Sequence, residues 1–161
     1  MDYMTLRDYE HAIQNLSKAI ELTPDFTLAY LIRANAQFLS SKISADNDRD
    51  KSSEAILPTQ RRNSIRAAIN DLDTVIKLSP SMPVAYYNKG VILAEEGDLT
   101  SALAAFTKAI ELKKDFGEAY FNRGYVYLSL GNRDAAFSDL SIAGSLGIVP
   151  SYNLLKRMSA N

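Results

Sequence analysis

The chain has 161 residues, 47% of them hydrophobic, with a formal net charge of −1 and no cysteine. That length and composition suit one packed domain or one short solenoid and exclude wholesale disorder. The near-neutral charge gives no basic face for nucleic acid, and the missing cysteine removes disulfides, thiol chemistry and Cys-ligated zinc or iron–sulfur sites. No apolar run approaches the roughly 18–20 residues that span a bilayer. The opening residues Met1-Asp2-Tyr3-Met4-Thr5-Leu6-Arg7-Asp8 lack the basic and apolar segments of a secretory leader. The expected compartment is the cytoplasm, with the periplasm as the alternative where a leader has been removed.

One internal ruler organises the rest. Ala85, Tyr86, Asn88, Gly90, Gly97, Ala102 and Ala109 recur, each thirty-four residues later, as Ala119, Tyr120, Asn122, Gly124, Gly131, Ala136 and Ala143. A fixed period of that length predicts an all-α array of helical hairpins, an architecture that holds other chains and rarely carries catalysis.

In chain order, residues 1–26 read as a partial first repeat. Asp8-Tyr9-Glu10-His11-Ala12 through Leu16, Ala19 and Pro24 form its second helix and closing proline; Ala12 to Pro24 spans the same twelve residues as Ala68 to Pro80. Its first helix is only a stub over residues 1–6, which reads either as the start of a fragment of a longer array or as a genuine start with a frayed turn. Residues 27–82 form a second repeat, opening on Leu28-Ala29-Tyr30 and closing on Leu72, Val75, Leu78 and Pro80. Ala29 and Ala85 lie fifty-six residues apart, one period plus an insertion of twenty-two placed around residues 42–63. The polar stretch 44–54 reads as an inter-helix loop, either on a functional face or simply mobile between extended helix ends. Residues 83–116 form the third repeat. Its helices, over 84–96 and 99–112, are separated by the stop-and-start pair Gly97-Asp98. Leu99, Ala102, Leu103, Phe106, Ala109 and Ile110 mark one buried stripe at spacings of three and four. Residues 117–149 repeat the pair around Gly131-Asn132. Pro150 followed by apolar residues at 152, 155 and 158 predicts a last helix within 150–161.

Catalytic motifs are missing. The single histidine, His11, stands one place before a buried alanine, without the oriented partner that acid–base work requires. No phosphate loop, His-Glu-x-x-His or Gly-x-Ser-x-Gly occurs. Asp46-Asn47-Asp48-Arg49-Asp50 resembles the opening of a calcium loop, but Lys51 and Leu57 stand where Gly and the bidentate Glu belong. The cluster Arg61-Arg62-Asn63-Ser64-Ile65-Arg66 reads as the charged start of a helix. The expectation is a protein that is not an enzyme and that takes no metal or cofactor.

Tyr86-x-x-Lys89-Gly90-x-x-Leu93 followed by Ala102-x-x-x-Phe106 resembles the tetratricopeptide repeat, with Tyr in place of the usual Trp. Tyr120-x-x-Arg123-Gly124-x-x-Tyr127 and Ala136-x-x-x-Leu140 resemble it equally; Lys89 and Arg123 stand at its Leu place, substitutions that the family tolerates. The resemblance implies a right-handed α–α superhelix of about three and a half repeats, closed by a capping helix, whose first helices line an inner groove. On that geometry Leu31, Asn35 and Phe38 face inward from the second repeat. From the third come Tyr87, Asn88, Val91 and Glu95, and from the fourth Glu118, Phe121, Asn122, Tyr125 and Ser129. The implied activity is binding of a peptide or protein segment by Tyr87, Asn88, Val91, Glu118, Phe121, Asn122 and Tyr125. Rings supply apolar area and amides can bond peptide backbone at two points. Asn88 and Asn122 read either as two rungs of a backbone-gripping ladder or as family filler bonding a neighbouring helix. Glu118 would repel the carboxylate of the chaperone tails that some members clamp, so that specific activity is not expected. A second reading is a structural scaffold that associates with further repeats or with itself through the partial first repeat.

Overall fold

Short spacings between apolar residues, broken at regular intervals by Gly, Pro and capping residues, force this chain into helices that bury one stripe each. The computed structural model describes residues 6–46 and 57–159; among them there are eight helices and no strand. The chain divides into two compact units, Met1–Pro80 and Ser81–Asn161.

The first unit holds α1 (Leu6–Leu22), α2 (Thr27–Asp46) and α3 (Leu57–Leu78). α2 packs against both neighbours, burying Ala29, Ala34, Ala36 and Phe38 against Ile20 of α1 and Ile65, Ala68, Leu72 and Val75 of α3. The insertion acts partly by lengthening this hairpin: α2 has 20 residues and α3 has 22, against 13 and 14 in the next pair. Arg61, Arg62 and Arg66 therefore lie within α3, with Arg62 and Arg66 exposed. The acidic stretch from Asn47 to Asp50 and the stub over residues 1–5 lie outside the described residues.

The second unit holds α4 (Pro83–Glu95), α5 (Leu99–Leu112), α6 (Gly117–Ser129), α7 (Arg133–Ser145) and α8 (Pro150–Ser159). Pro83 sits in the first turn of α4, where its missing N–H leaves nothing unsatisfied. α4 pairs with α5 and α6 with α7, α5 packs on α6, and α8 packs on α7. One core centres on Ala102, Phe106 and Val126, another on Ala109, Ile110 and Ala119; alanines let the backbones approach while rings fill the remaining space. The Tyr152 hydroxyl donates to the Gly144 carbonyl at 3.0 Å, and Arg133 donates through Nη2 to the Met158 carbonyl at 2.8 Å, so α8 is tied to both ends of α7.

The turn inside each pair follows from two residues. Gly97 takes φ 84° and Gly131 φ 77°, left-handed conformations that glycine enters without the clash of a Cβ. Each closes a Schellman motif: the Asp98 N–H reaches the Leu93 carbonyl at 2.9 Å, and the Asn132 N–H the Tyr127 carbonyl at 2.9 Å. The next side chain then caps the following helix, the Asp98 carboxylate accepting from the Ser101 N–H at 3.1 Å and the Asn132 carbonyl oxygen from the Ala135 N–H at 3.2 Å. Gly97→Ala is expected to destabilise the protein by about 1 kcal/mol, because a Cβ is disfavoured in that conformation by roughly this amount. Urea denaturation measures it, and an unchanged midpoint would show that the turn relaxes freely.

Candidate functional site

The inner faces of α4 and α6 meet over α5 in an open pocket of about 320 Å³. Val91, Ala94 and Glu95 contribute from α4, Leu99 and Phe106 from α5, and Asn122, Tyr125, Val126 and Ser129 from α6. Helical spacing explains the set: Asn122, Tyr125, Val126 and Ser129 fall at steps of three and four and so share one side of α6. The floor is apolar, with Phe106 fully buried and Val126 nearly so. The rim is polar, and Tyr125 stands at it 56% exposed.

Four of the seven residues expected from the sequence stand elsewhere than on this lining. Tyr87 is half-buried, its ring centroid 4.9 Å from that of Phe116 and 5.9 Å from that of Phe106. Its hydroxyl accepts from Nδ2 of Asn122 at 3.0 Å. The ring is thus a core element whose tip reaches the inner face, and the Asn122 amide holds that tip while its residue lines the pocket. Asn88 and Phe121 are half-buried and Glu118 is exposed in the first turn of α6. In the first unit Leu31 is half-buried and Asn35 exposed; Phe38 is buried, with Lys42 Nζ 4.5 Å from its ring centroid. Leu28, Ile32 and Leu39 of α2, at the repeat places of Glu118, Asn122 and Ser129, are 52%, 53% and 42% exposed. Among the described residues no cluster of His, Asp or Glu is arranged to hold a metal ion.

Burial raises the Tyr87 hydroxyl above its ordinary value of 10.0, the Asn122 hydrogen bond opposes that shift, and the charge of Glu118 adds to it. A group whose pKa is higher folded than unfolded contributes stability that is complete below the unfolded value and disappears as pH rises through the folded one. Stability should therefore fall between neutral pH and about pH 11, with a smaller fall in Tyr87→Phe, which has no such proton to lose. Denaturation midpoints at the two pH values measure this; equal slopes for the two proteins would show that the ring titrates as if exposed.

An ion cluster absent from the sequence reading recurs in both units. In the second, Arg123 donates through Nε and Nη2 to the two carboxylate oxygens of Asp139 at 2.7 and 2.9 Å, and through Nη1 to the Thr107 hydroxyl at 3.0 Å. Its guanidinium lies 5.6 Å from the Tyr120 ring centroid. In the first unit Arg33 holds Asp71 at 2.8 and 2.7 Å and Ser17 at 3.0 Å, and stacks 5.5 Å from Tyr30. The hydrogen bond to Asp139 raises Arg123 above its ordinary value, outweighing the opposing effect of burial. One guanidinium thus clips three helices: α5, α6 and α7 in one case, α1, α2 and α3 in the other. The signal in the sequence is the pairing of Arg33 with Arg123 and of Asp71 with Asp139 at equivalent repeat places.

Helical hairpins joined by Schellman turns, with small residues at the crossings and an apolar inner face, define a helical repeat protein built for interaction. A family described as TPR repeat matches residues 90–131, and one described as tetratricopeptide repeat matches residues 3–26. Those two stretches match tetratricopeptide repeats, and the chain has the fold of a tetratricopeptide repeat solenoid. It is similar to Protein FlbA of Caulobacter vibrioides, 32% identical over 76 residues that make up 47% of this chain. It is also similar to DnaJ homolog subfamily C member 3 of Bos taurus, 27% identical over 68% of this chain. The matches span only 13% and 22% of those two proteins. Among solved structures, TTC0263, a thermophilic TPR protein of Thermus thermophilus, shares the fold with a TM-score of 0.72. It is 16% identical, and the match covers 92% of this chain and 72% of that one. No helix among the described residues is long and apolar enough to cross a membrane.

Proposed function

We propose that this chain is a non-enzymatic interaction module that holds a peptide or protein segment on the inner face of its second unit. The observation that carries the reading is the pocket of about 320 Å³, in which an apolar floor of Val91, Phe106 and Val126 is rimmed by the amide of Asn122 and the exposed ring of Tyr125. Such a mixture suits a segment that inserts one apolar side chain and hydrogen-bonds its backbone at the edge. Asn88, Glu118 and Phe121 extend the face along α4 and α6, and Tyr87 acts through Asn122, fixing that amide. Affinity capture with the intact chain and with Tyr125→Ala tests the reading. A specific partner should be lost from the variant, with its Kd raised about tenfold or more, in line with loss of an aromatic anchor; undiminished capture would sink the proposal.

Self-association is the second reading, favoured by the apolar exposure at the α1–α2 turn, where Leu22 is 85%, Phe26 45% and Leu28 52% exposed. Light scattering across a concentration series decides it, and a constant monomer mass would count against it.

A further inference from the structure

Resting on that groove reading, we infer that the bound segment is basic: it presents one large apolar side chain with Lys or Arg within about two residues of it in the chain. The charged side chain in the pocket lining is acidic, and so is the exposed one on α6 whose charge reaches the Tyr87–Asn122 contact. Glu95 lines the pocket itself, one turn beyond Val91 on α4. Glu118 is exposed two turns before Tyr125 on α6, near enough for its charge to act on the Tyr87 hydroxyl that Asn122 holds. No cation belongs to the lining. Arg123 is committed to Asp139 and Thr107, Lys89 stands at the equivalent place one repeat earlier, and Lys113 lies 5.2 Å from the Phe116 ring centroid at the end of α5. An apolar floor beneath two carboxylates receives a leucine, methionine or phenylalanine side chain best when its neighbours are cationic. An acidic segment would meet like charge in a partly desolvated cleft, where repulsion is screened less than in open water. The volume accommodates one large side chain together with part of a second.

A displayed library of random twelve-residue peptides, selected on the full-length chain and in parallel on the Glu95→Lys, Glu118→Lys double variant, tests this. Both substituted positions are exposed, and circular dichroism checks that the variant melts as the parent does. The expected result is enrichment on the parent of peptides with an apolar residue flanked by Lys or Arg. Those peptides should bind the double variant at least about tenfold more weakly and lose affinity as salt rises from about 50 mM to about 500 mM, as attraction between partly exposed charges must. Enriched peptides that compete for the pocket, as judged by loss in Tyr125→Ala, but carry neutral or acidic flanks would overturn this inference and leave the groove reading standing. If no peptide is enriched, or if all enriched peptides ignore Tyr125→Ala, the groove reading falls and takes this inference with it.

Discussion

Asp139→Ala is expected to lower stability by about 3 kcal/mol or more, the range found when one partner of a buried ion pair is removed. The Asp139 side chain is 6% exposed and that of Arg123 17%, so the pair is largely out of water. Both carboxylate oxygens are engaged by one guanidinium, in the parallel geometry that makes such pairs strong and directional. Removing the acid leaves the Arg123 guanidinium between Thr107 and the Tyr120 ring with no counter-charge, and desolvation dominates the loss. The double variant Arg123→Met, Asp139→Leu separates this cause from a simple loss of packing. It should recover most of the loss, because an apolar pair of similar volume leaves no charge stranded. Guanidinium denaturation would serve poorly here, since the denaturant screens the pair; urea midpoints give the comparison. If the double variant is as unstable as the single one, the clip acts by shape and not by charge. Asp71→Ala should behave alike in the first unit, where Arg33 makes the same set of contacts.

Phe106→Ala is the substitution expected to cost most in the second unit, about 3–5 kcal/mol for a fully buried ring. Phe106 has no exposed surface, packs with Ala102 and Val126, and meets Tyr87 with 5.9 Å between ring centroids. The space above it is reserved by Gly90, where a Cβ would come within 2.7 Å of the ring. Truncation therefore leaves a void that alanine and glycine neighbours cannot reach across to fill. The same ring floors the pocket, so the variant should also bind any selected peptide more weakly. Phe106→Leu should lose much less stability than Phe106→Ala. Gly90→Ala should destabilise from the opposite direction, by forcing the ring aside. Urea denaturation with calorimetric confirmation measures all three, and a Phe106→Ala protein of parental stability would show that the core collapses into the gap.

The helices themselves were legible because their signals are local. The stripe Leu99, Ala102, Leu103, Phe106, Ala109 and Ile110, and the Gly97-Asp98 and Gly131-Asn132 turns, act within about one helical turn of chain, and the structure places α5 and both Schellman motifs there. The insertion was legible as extra length, with extended helix ends as one reading of it, and α2 does run to Asp46 and α3 does start at Leu57. Val91, Asn122 and Tyr125 could be read onto an inner face from position within the repeat, and all three line the pocket. Tyr87 shows why the rest was less accessible. Its place on α4 lies between the inner and packing sides, and the volume beside Phe106 and Phe116 determines which side its ring occupies.

By itself, then, the amino-acid sequence determined the thirty-four-residue repeat, the helical pairs and the turns between them, because period, capping and glycine conformation are properties of neighbouring residues. Only the tertiary structure decided which side chains are spent inside and which remain for a partner. It joined Arg123 to an acid sixteen residues away and a hydroxyl on another helix, turned Tyr87 into the core, and gave its hydroxyl the Asn122 amide. Those outcomes depend on the distances and burial that arise when three helices pack, and no spacing along one helix contains them.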